Sequence, residues 1–473
     1  MESLVRRDFL KTAGSATALG VAGLTVPARV LGANDRVRIA IIGLRGRGLD
    51  HIKGYAPLKN VEIAALCDVD ENVLTRRLGD AEKLTGHRPA AFGDVRKLLA
   101  DKSIDAISIA TPNHWHSLIG IWGAQAGKDI YCEKPCCHNW WEGKQLVAAV
   151  KKYKVMCQHG SQSRSGKGIR DGIQAMRDGL IGDVYLSRAL CFKWRDTIGH
   201  QPVQPVPAGV NYDLWTGPSP LHPFTLNRFH YNWHWFWDTG NGDLGNQAIH
   251  ELDIARWGLG VGFPNRVSAM GGKFMFHDDQ ETPNTLTASF EFDQPDGSRR
   301  MLEAEVRHWI TNPEAGIGTG LYHAGGVPAA GLAATPRKHD KQATHPKLGP
   351  SAGAHNCIGN EFYGSKGYIG MDGYDSFKSW LGPDQTPGPE SHGGGDHFQN
   401  FIDVVRSRRY QDLHCPIEEG FLSSSLIHLA NASYRLGRSL NFNPETQAVL
   451  NDSEAEALLH GTYRAPYVVP DEV

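Results

Sequence analysis

The chain between residues 36 and 154 alternates short apolar runs with longer mixed stretches. Four runs rich in Val, Ile, Ala and Leu span 37–43, 61–67, 104–110 and 128–132. Because a run that is apolar at most positions suits a strand buried on both faces, these runs predict an open parallel sheet. Apolar residues at helical spacing across 142–153 predict a helix after the fourth strand.

Beyond residue 154 the pattern changes. Val155-Met156-Cys157 predicts a strand that enters a second unit, and 266–276, 285–292 and 300–310 predict further strands, several with alternating polar and apolar residues. Between 313 and 356 the chain has little periodicity and many Gly, Ala, Pro and His residues. A structureless stretch of that length is a lid, an oligomer arm or a disordered insertion more often than core.

Composition narrows the class of protein. A chain of 473 residues supports two domains with full cores, and a net charge of −2 gives no sign of nucleic-acid or anionic-membrane binding. The 8 cysteines include the adjacent pair Cys136-Cys137 and two in predicted strands, which favours packed free thiols over a disulfide framework. The 54 Gly and 12 Trp residues suit a loop-rich protein with an aromatic-lined site.

A Gly-rich turn follows the first predicted strand. The turn contains Gly43, Arg45, Gly46 and Gly48 and leads into a predicted helix. A strand, such a turn and a helix N-terminus together form a pyrophosphate site, because main-chain N–H groups and the helix dipole face the phosphates. Arg45 stands where the usual fingerprint has its second Gly.

Asp68 ends the second predicted strand, near the distance from the turn at which an acidic side chain binds the adenosine ribose hydroxyls. Its charge favours NAD over NADP, since it would repel a 2′-phosphate. Arg45 or Arg47 leaves NADP open, and an ordinary turn acid is the alternative interpretation of Asp68.

The N-terminus is typical of a targeting signal. Arg6-Arg7-Asp8-Phe9-Leu10-Lys11 precedes an apolar run over 12–26 that is too short and too polar to span a bilayer. Twin-arginine signals direct folded proteins across the membrane, so a cofactor can be loaded before export. We therefore expect residues 1–33 to be a signal peptide, with cleavage after either Ala28 or Ala33, and the mature protein to lie in the periplasm or cell envelope. No free nicotinamide pool exists there, so the nucleotide would be tightly bound and recycled within the site.

Polar segments follow the third and fourth strands, where ligands bind in an open parallel sheet. These segments are Thr111-Pro112-Asn113-His114-Trp115-His116 and Glu133-Lys134-Pro135. Together with the Gly-rich turn and the acid after the second strand, they resemble the Gfo/Idh/MocA oxidoreductase family over nearly all of the mature chain. The resemblance implies that Thr111, Asn113 and His116 border the cofactor, that Glu133 holds the nicotinamide-side ribose and that Lys134 is catalytic. A buried ammonium with a lowered pKa can relay the proton of a sugar hydroxyl.

The resemblance also implies the fold class, α/β plus α+β. An N-terminal Rossmann dinucleotide-binding domain over 35–154 is followed by a substrate-binding and oligomerisation domain over 155–390, which has an open, mainly antiparallel sheet. Residues 391–473 form a helical return and tail. Because exposed sheet faces in this family often pair subunits, a homo-oligomer is expected.

Two segments of the second domain are candidates for substrate binding. In an extended chain Trp233 and Trp235 share one face, where indoles suit sugar rings, although a core strand or a subunit contact is equally open. Asn246, His250 and Asp253 share one face if their segment is helical. The family carries an Asp-x-x-x-His pair here. His250 matches its histidine and is the expected acid/base, whereas Asn246 replaces the aspartate and cannot take a proton.

A metal is not expected. Several histidines fall in the candidate segments, but no tight Cys/His/carboxylate cluster accompanies them.

Three functions fit these residues. The leading hypothesis is an exported NAD(P)-dependent oxidoreductase acting on a sugar, polyol or glycoside, with Lys134 and His250 relaying the hydroxyl proton. The alternative is a redox-neutral glycosidase similar to those of glycoside hydrolase family 109, in which transient oxidation at C3 acidifies the neighbouring C–H and the glycosidic bond is eliminated. A catalytically inactive nucleotide-binding protein is the third, and intact Glu133, Lys134 and His250 argue against it.

Overall fold

The computed structural model describes residues 36–309, 311–318, 344–345, 349–350 and 356–473. The predicted signal peptide over 1–33 and most of the predicted insertion over 313–356 lie outside these residues. Within the described ranges, no helix has the length and apolar character needed to cross a membrane.

The first sheet consists of β1 (Val37–Ile42), β2 (Val61–Cys67), β3 (Ala90–Phe92), β4 (Ala106–Ile109), β5 (Asp129–Cys132) and β6 (Cys157–His159). All its strands are parallel, in the order β3-β2-β1-β4-β5-β6. β4 and β5 are buried at every position because helices cover both faces of the sheet. The predicted Rossmann domain is confirmed.

The first domain also contains the helices α1 (Gly46–Tyr55), α2 (Glu71–Thr85), α3 (Val95–Leu99), α4 (Asn113–Gln125) and α5 (Trp140–Tyr153). Local residues set where several of them begin. The Asp70 side chain accepts hydrogen bonds from two main-chain N–H groups of α2, and Asn139 and Glu142 form a capping box at the start of α5. Because all the strands are parallel, the loops that follow them meet at the carboxyl edge of the sheet.

The remaining strands are β7 (Val184–Lys193), β8 (Arg266–Gly272), β9 (Thr285–Asp293), β10 (Arg299–His308), β11 (Thr344–His345), β12 (Gly349–Pro350), β13 (Cys357–Gly364), β14 (Gly367–Asp372), β15 (Ser376–Leu381), β16 (Thr386–His392), β17 (Leu440–Asn443) and β18 (Ala448–Val449). A 10-stranded sheet has the order β16-β15-β14-β13-β7-β10-β9-β8-β17-β18. Its neighbouring strands are antiparallel except for β7 and β10, which are parallel. The predicted open, mainly antiparallel sheet is confirmed.

The later helices are α6 (Lys167–Arg177), α7 (Tyr212–Thr216), α8 (Ile249–Leu259), α9 (His397–Ser407), α10 (Ile417–Leu436) and α11 (Ser453–His460). α9 buries Phe401 and Ile402 in the same apolar cluster as β1 and β2. α10 contributes Leu426 and Leu429 to a cluster that runs from the first sheet to the second. The C-terminal helices thus join both domains in a continuous core.

All 8 cysteines lie within the described residues, where they are buried and form no disulfide.

Two local predictions are wrong, and a third holds only from residue 249. Cys157–His159 pairs with β5 and completes the first sheet instead of entering the second domain, so the boundary expected at 154 falls one strand early. The aromatic segment folds as a 3₁₀ turn over Asn232–Trp235, not as a strand. The helix predicted from residue 246 begins as a π turn over Leu244–Ala248 that leads into α8. A π turn redirects the side chains that precede it relative to those that follow.

Candidate active site

A cavity of about 770 Å³ opens at the carboxyl edge of the first sheet, a size typical of cofactor and substrate sites. Its first-domain wall contains the Gly-rich turn and the segments after β2, β4 and β5. Its second-domain wall contains the end of β7, the aromatic segment 229–234 and part of the π turn. The predicted site residues on these walls are Gly43, Arg45, Gly46, Asp68, Thr111, Asn113, His116, Glu133, Lys134, Trp233 and Asn246. Four others, Gly48, Trp235, His250 and Asp253, are not part of the lining.

The Gly-rich turn forms an anion site at the start of α1. Gly43 has a φ of +83°, and a Cβ there would lie 2.7 Å from the main chain of Ala110. A Cβ on Gly46 would meet nothing within 4 Å, so this part of the cavity is open. Gly48 packs α1 against the turn, because its Cβ would lie 2.0 Å from the Gly43 carbonyl oxygen. In the part of the chain that the structure describes, no side chain caps α1, so its first N–H groups can bind a phosphate.

Asp68 is held against this turn. Its Oδ2 accepts a 2.7 Å hydrogen bond from the Leu44 N–H, and its Oδ1 accepts a 3.0 Å bond from the Asp70 N–H. Burial raises the pKa of Asp68 to about 6, although these N–H groups favour the carboxylate. Each carboxylate oxygen can accept a second hydrogen bond, so Asp68 keeps acceptor capacity for a ribose.

Three polar residues of the segment after β4 lie on the wall. His116 connects the loops after β4 and β5, with ring nitrogens 2.8 Å from the Thr111 carbonyl oxygen and 2.6 Å from that of Pro135. The Asn113 amide donates a 2.9 Å hydrogen bond to Asn241. The Thr111 hydroxyl is buried without a hydrogen-bond partner in the described structure, which suits contact with a bound cofactor.

Glu133 is the centre of a buried charge network. Its Oε1 accepts hydrogen bonds from Arg47 at 2.7 Å, His51 at 3.0 Å and Gln162 at 3.1 Å. Burial opposes ionisation, but Arg47 and His51 outweigh it and hold the pKa of Glu133 well below its ordinary value. Its Oε2 accepts only a 3.2 Å bond from the Lys134 N–H in the described structure, so this oxygen retains capacity for a ribose hydroxyl.

Lys134 crosses from the first domain to the second. Its ammonium donates a hydrogen bond to the main-chain oxygen of Asn246 in the π turn. Burial lowers the pKa of Lys134, and the nearby charges of Glu133 and Arg47 act in opposite directions. The side chain is therefore closer to proton exchange near neutral pH than a solvated lysine.

His250 lies outside the cavity lining but within the electrostatic reach of Lys134. Its ring packs on Tyr374 at 4.9 Å between centroids, and its buried Nδ1 has no partner in the described structure. Burial and the Lys134 charge hold the pKa of His250 well below its ordinary value, so the imidazole is neutral. Protonation of this imidazole is therefore unfavourable while Lys134 carries its charge.

The π turn directs Asn246 toward Asp243, to which its amide donates a 3.1 Å hydrogen bond. Asp243 is also bound by Arg195 at 2.6 and 2.8 Å and by His308 at 2.7 Å. This carboxylate is thus occupied by structural partners.

The predicted tryptophan pair is divided between the cavity and the core. Trp233 lines the cavity and stacks on His234 at 3.6 Å between centroids. Trp235 is buried beneath the Arg195 guanidinium, 4.9 Å from the ring centroid. Because the segment is a 3₁₀ turn, the two indoles do not share a face, and only Trp233 is placed to contact a substrate.

Asp253 has a structural role in place of the predicted substrate contact. It is fully buried and forms hydrogen bonds with Arg164 at 2.7 and 2.8 Å and with Ser423 at 2.6 Å. Burial opposes ionisation, but Arg164 outweighs it and lowers the pKa of Asp253.

Eight second-domain residues on the wall were not predicted from the sequence: Lys193, Leu214, Trp215, Phe229, His230, Tyr231, His234 and Gln247. The Lys193 ammonium donates a 2.7 Å hydrogen bond to Gln247 Oε1. The only sequence feature that could have indicated Lys193 as a site residue was its position at the end of a strand. In the ranges that the structure describes, no group of three or more Cys, His, Asp or Glu side chains is arranged to hold a metal.

Comparisons with known families match both domains. Residues 37–161 match the family described as "Oxidoreductase family, NAD-binding Rossmann fold", and residues 168–303 and 374–469 match "Oxidoreductase family, C-terminal alpha/beta domain". Among curated proteins, a glycosyl hydrolase family 109 protein of Shewanella baltica is 28% identical over 206 residues, and an alpha-N-acetylgalactosaminidase of Shewanella oneidensis is 27% identical over 210. Each alignment covers 39% of this chain and 45% of the relative, so the chain spans less than half the length of these relatives.

Solved structures share the fold across most of the chain. A WlbA dehydrogenase of Bordetella pertussis in complex with NADH and UDP-GlcNAcA has a TM-score of 0.59 and 19% identity, covering 86% of this chain and 98% of its own. An aldose-aldose oxidoreductase of Caulobacter crescentus complexed with glycerol has a TM-score of 0.58 and 18% identity, covering 86% and 100%. At these identities the likeness shows the fold.

Proposed function

Because the chain belongs to the Gfo/Idh/MocA oxidoreductase family, we propose that it transfers hydride between a tightly bound nicotinamide cofactor and a carbon atom of a sugar, polyol or glycoside. The observation that carries this proposal is the position of Lys134. This half-buried lysine with a lowered pKa lines one cavity together with the Gly-rich turn and the second domain.

The residues present fit a dinucleotide. The uncapped start of α1 suits the pyrophosphate, Asp68 the adenosine ribose and Glu133 Oε2 the second ribose. The unpartnered Thr111 hydroxyl suits a polar edge of the same molecule. When bound, the nicotinamide supplies a hydride acceptor, and every proton must be moved by the protein.

Lys134 is the group placed to move that proton. In its neutral form the amine accepts the proton of the substrate hydroxyl as the carbon loses hydride, and the ammonium stabilises the developing alkoxide. We assign the uncharged His250 as the next acceptor because its Nδ1 is unpartnered in the described structure. The Lys134 charge lowers the pKa of His250, so this transfer becomes favourable only when the lysine gives up its proton. The Asn246 carbonyl positions the lysine.

Lys134→Ala tests the proposal. The variant should lose the rise in near-ultraviolet absorbance that reduced nicotinamide gives when the wild type meets its sugar, by a factor on the order of 10² to 10⁴. It should retain nucleotide binding, measured by release of nucleotide on denaturation. Lys83→Ala, at an exposed position of α2, is the matched control and should reduce the cofactor at the wild-type rate. Unaltered reduction by Lys134→Ala would refute the proposal.

A redox-neutral glycosidase is the second candidate. The family 109 relatives favour it, as does Asn246, whose amide cannot act as the family's aspartate would. Oxidation at C3, elimination of the glycosidic bond, addition of water and reduction of the ketone leave the cofactor unchanged. Exchange of the C2 hydrogen of a glycoside for deuterium in D₂O, with release of the aglycone, would support this candidate over simple dehydrogenation.

Export by the twin-arginine route is part of the proposal, and so is assembly as a homo-oligomer. Arg6 and Arg7 carry the first, and replacing both by Lys should retain the protein in the cytoplasm when cell fractions are compared. Light scattering of the purified mature protein tests the second.

A further inference from the structure

The two walls of the cavity differ in charge. The acidic lining residues, Asp50, Asp68, Asp70, Asp94 and Glu133, all belong to the first domain. Among the described residues, the second-domain wall has no carboxylate and has one ammonium, that of Lys193. The reacting end therefore contains two ammonium groups, since Lys134 faces it from the first domain.

Lys193 has a neutral partner. It lies at the end of β7, and its ammonium donates to the amide oxygen of Gln247. The amide nitrogen of Gln247 in turn donates to Glu251 at 3.1 Å and to the Tyr374 hydroxyl at 2.9 Å. Over the ranges that the structure describes, no carboxylate lies within ion-pair distance of Lys193. Two of its three N–H groups remain for a ligand.

Two acids that flank the π turn do not neutralise this charge. Asp243 is ionised, but Arg195 and His308 occupy its oxygens. Burial raises the pKa of Glu251 to about 8, so it is uncharged at neutral pH, and its Oε2 has no partner in the described structure. Among the described residues, the Lys193 ammonium therefore has no ion-pair partner.

Tyr231 lies in the same positive electrostatic potential. Its hydroxyl oxygen accepts a 3.1 Å hydrogen bond from Arg195, which leaves the phenol O–H to donate to a ligand. Arg195 and Lys193 lower the pKa of Tyr231, whose side chain is 55% exposed to the open cavity. A neutral polyol gains little from such a potential, whereas an anionic group gains a charge-assisted hydrogen bond.

We propose that the substrate is a sugar acid whose carboxylate binds the Lys193 ammonium and the Tyr231 hydroxyl while its reacting carbon faces Lys134. This inference deepens the proposed function and depends on it. One ammonium and one hydroxyl match a singly charged carboxylate. A phosphate group usually binds more N–H donors, such as an Arg fork or a main-chain nest.

The test compares glucuronate with glucose, and galacturonate with galactose, on the nucleotide-loaded enzyme in single-turnover reduction of the bound cofactor. Glucose 6-phosphate distinguishes a carboxylate from a phosphate preference. We expect at least one sugar acid to react on the order of 10- to 100-fold more efficiently than its neutral partner, the gain of one charge-assisted hydrogen bond. Lys193→Met should remove this preference and leave nucleotide affinity unchanged. Lys193→Arg should retain part of it, and Lys83→Met all of it.

Three results would overturn the inference: equal or better reduction by the neutral sugars, a preference for the phosphate, or loss of nucleotide affinity in Lys193→Met. The first two leave the proposed function intact. If no sugar reduces the cofactor, titration of the nucleotide-loaded enzyme with the same sugar acids and neutral sugars, followed by tryptophan fluorescence, tests the carboxylate site on its own. Tighter binding of the acid, lost in Lys193→Met, would support the carboxylate site, and equal binding of acid and neutral sugar would refute it.

Discussion

Glu142 is a buried carboxyl group at the start of α5, and replacing it with Gln isolates the effect of its proton on stability. The Glu142 Oε1 accepts hydrogen bonds from the His138 and Asn139 N–H groups, and Glu142 is only 1% exposed to solvent. Burial raises its pKa from 4.5 to about 8. Between these values the folded protein keeps a proton that the unfolded chain has lost, so stability is fully present below pH 4.5 and falls as pH rises toward 8.

The fall is about 1.4 kcal/mol per pH unit, hence about 3 kcal/mol between pH 5.5 and 7.5. Gln keeps the carbonyl acceptor and never ionises, so Glu142→Gln should gain about 3 kcal/mol relative to the wild type over that interval. Denaturant unfolding followed by tryptophan fluorescence at several pH values measures the difference. Glu71→Gln, at an exposed position of α2, removes a solvated carboxylate and should not reproduce the widening gap. A gap between Glu142→Gln and the wild type that is constant across pH would refute the reasoning.

Three further predictions concern the site and its supports. Because burial lowers the pKa of Lys134, kcat/KM should rise with pH and reach a plateau below pH 10.5. Lys134→Arg should abolish this rise, and a rise that persists in the variant would contradict the role of Lys134 as proton acceptor. Gly48→Ala places a Cβ 2.0 Å from the Gly43 carbonyl oxygen and should lower both Tm and nucleotide affinity. Gly79 lies in the middle of α2, where a Cβ would meet no described atom within 4 Å, so Gly79→Ala should stabilise the protein by roughly 0.5–1 kcal/mol in thermal unfolding. Asp253→Asn breaks a buried ion pair and should cost about 3–5 kcal/mol in denaturant unfolding; an unchanged midpoint would contradict the structural role.

Features that depend on local pattern could be predicted from the sequence. The apolar runs of β1, β2, β4 and β5 and the Gly-rich turn each lie within a few consecutive residues, so the Rossmann domain follows from them. The small strand β6 was assigned to the wrong domain because a three-residue run gives no sign of its pairing partner.

Contacts between distant residues could not be predicted. Nothing near Glu133 in the sequence indicates that Arg47 and His51 of α1 bind its oxygen. Asp253 has the spacing of a site residue, yet its direction is decided by Arg164, 89 positions away. Trp235 differs from Trp233 only because the backbone turns between them. Each case depends on tertiary packing, which overrides periodicity.

The π turn over Leu244–Ala248 holds one residue more than a regular helix would need to span the same rise. Each helical residue advances about 100° around the axis, so deleting one codon here would restore an α-helix and rotate Asp243 by about that angle relative to His250. The main-chain oxygen that accepts from the Lys134 ammonium would then come from a different position of the helix, without any amino-acid replacement. A single deletion can therefore change which main-chain oxygen holds the lysine, so the length of this helix affects the site as much as its composition does.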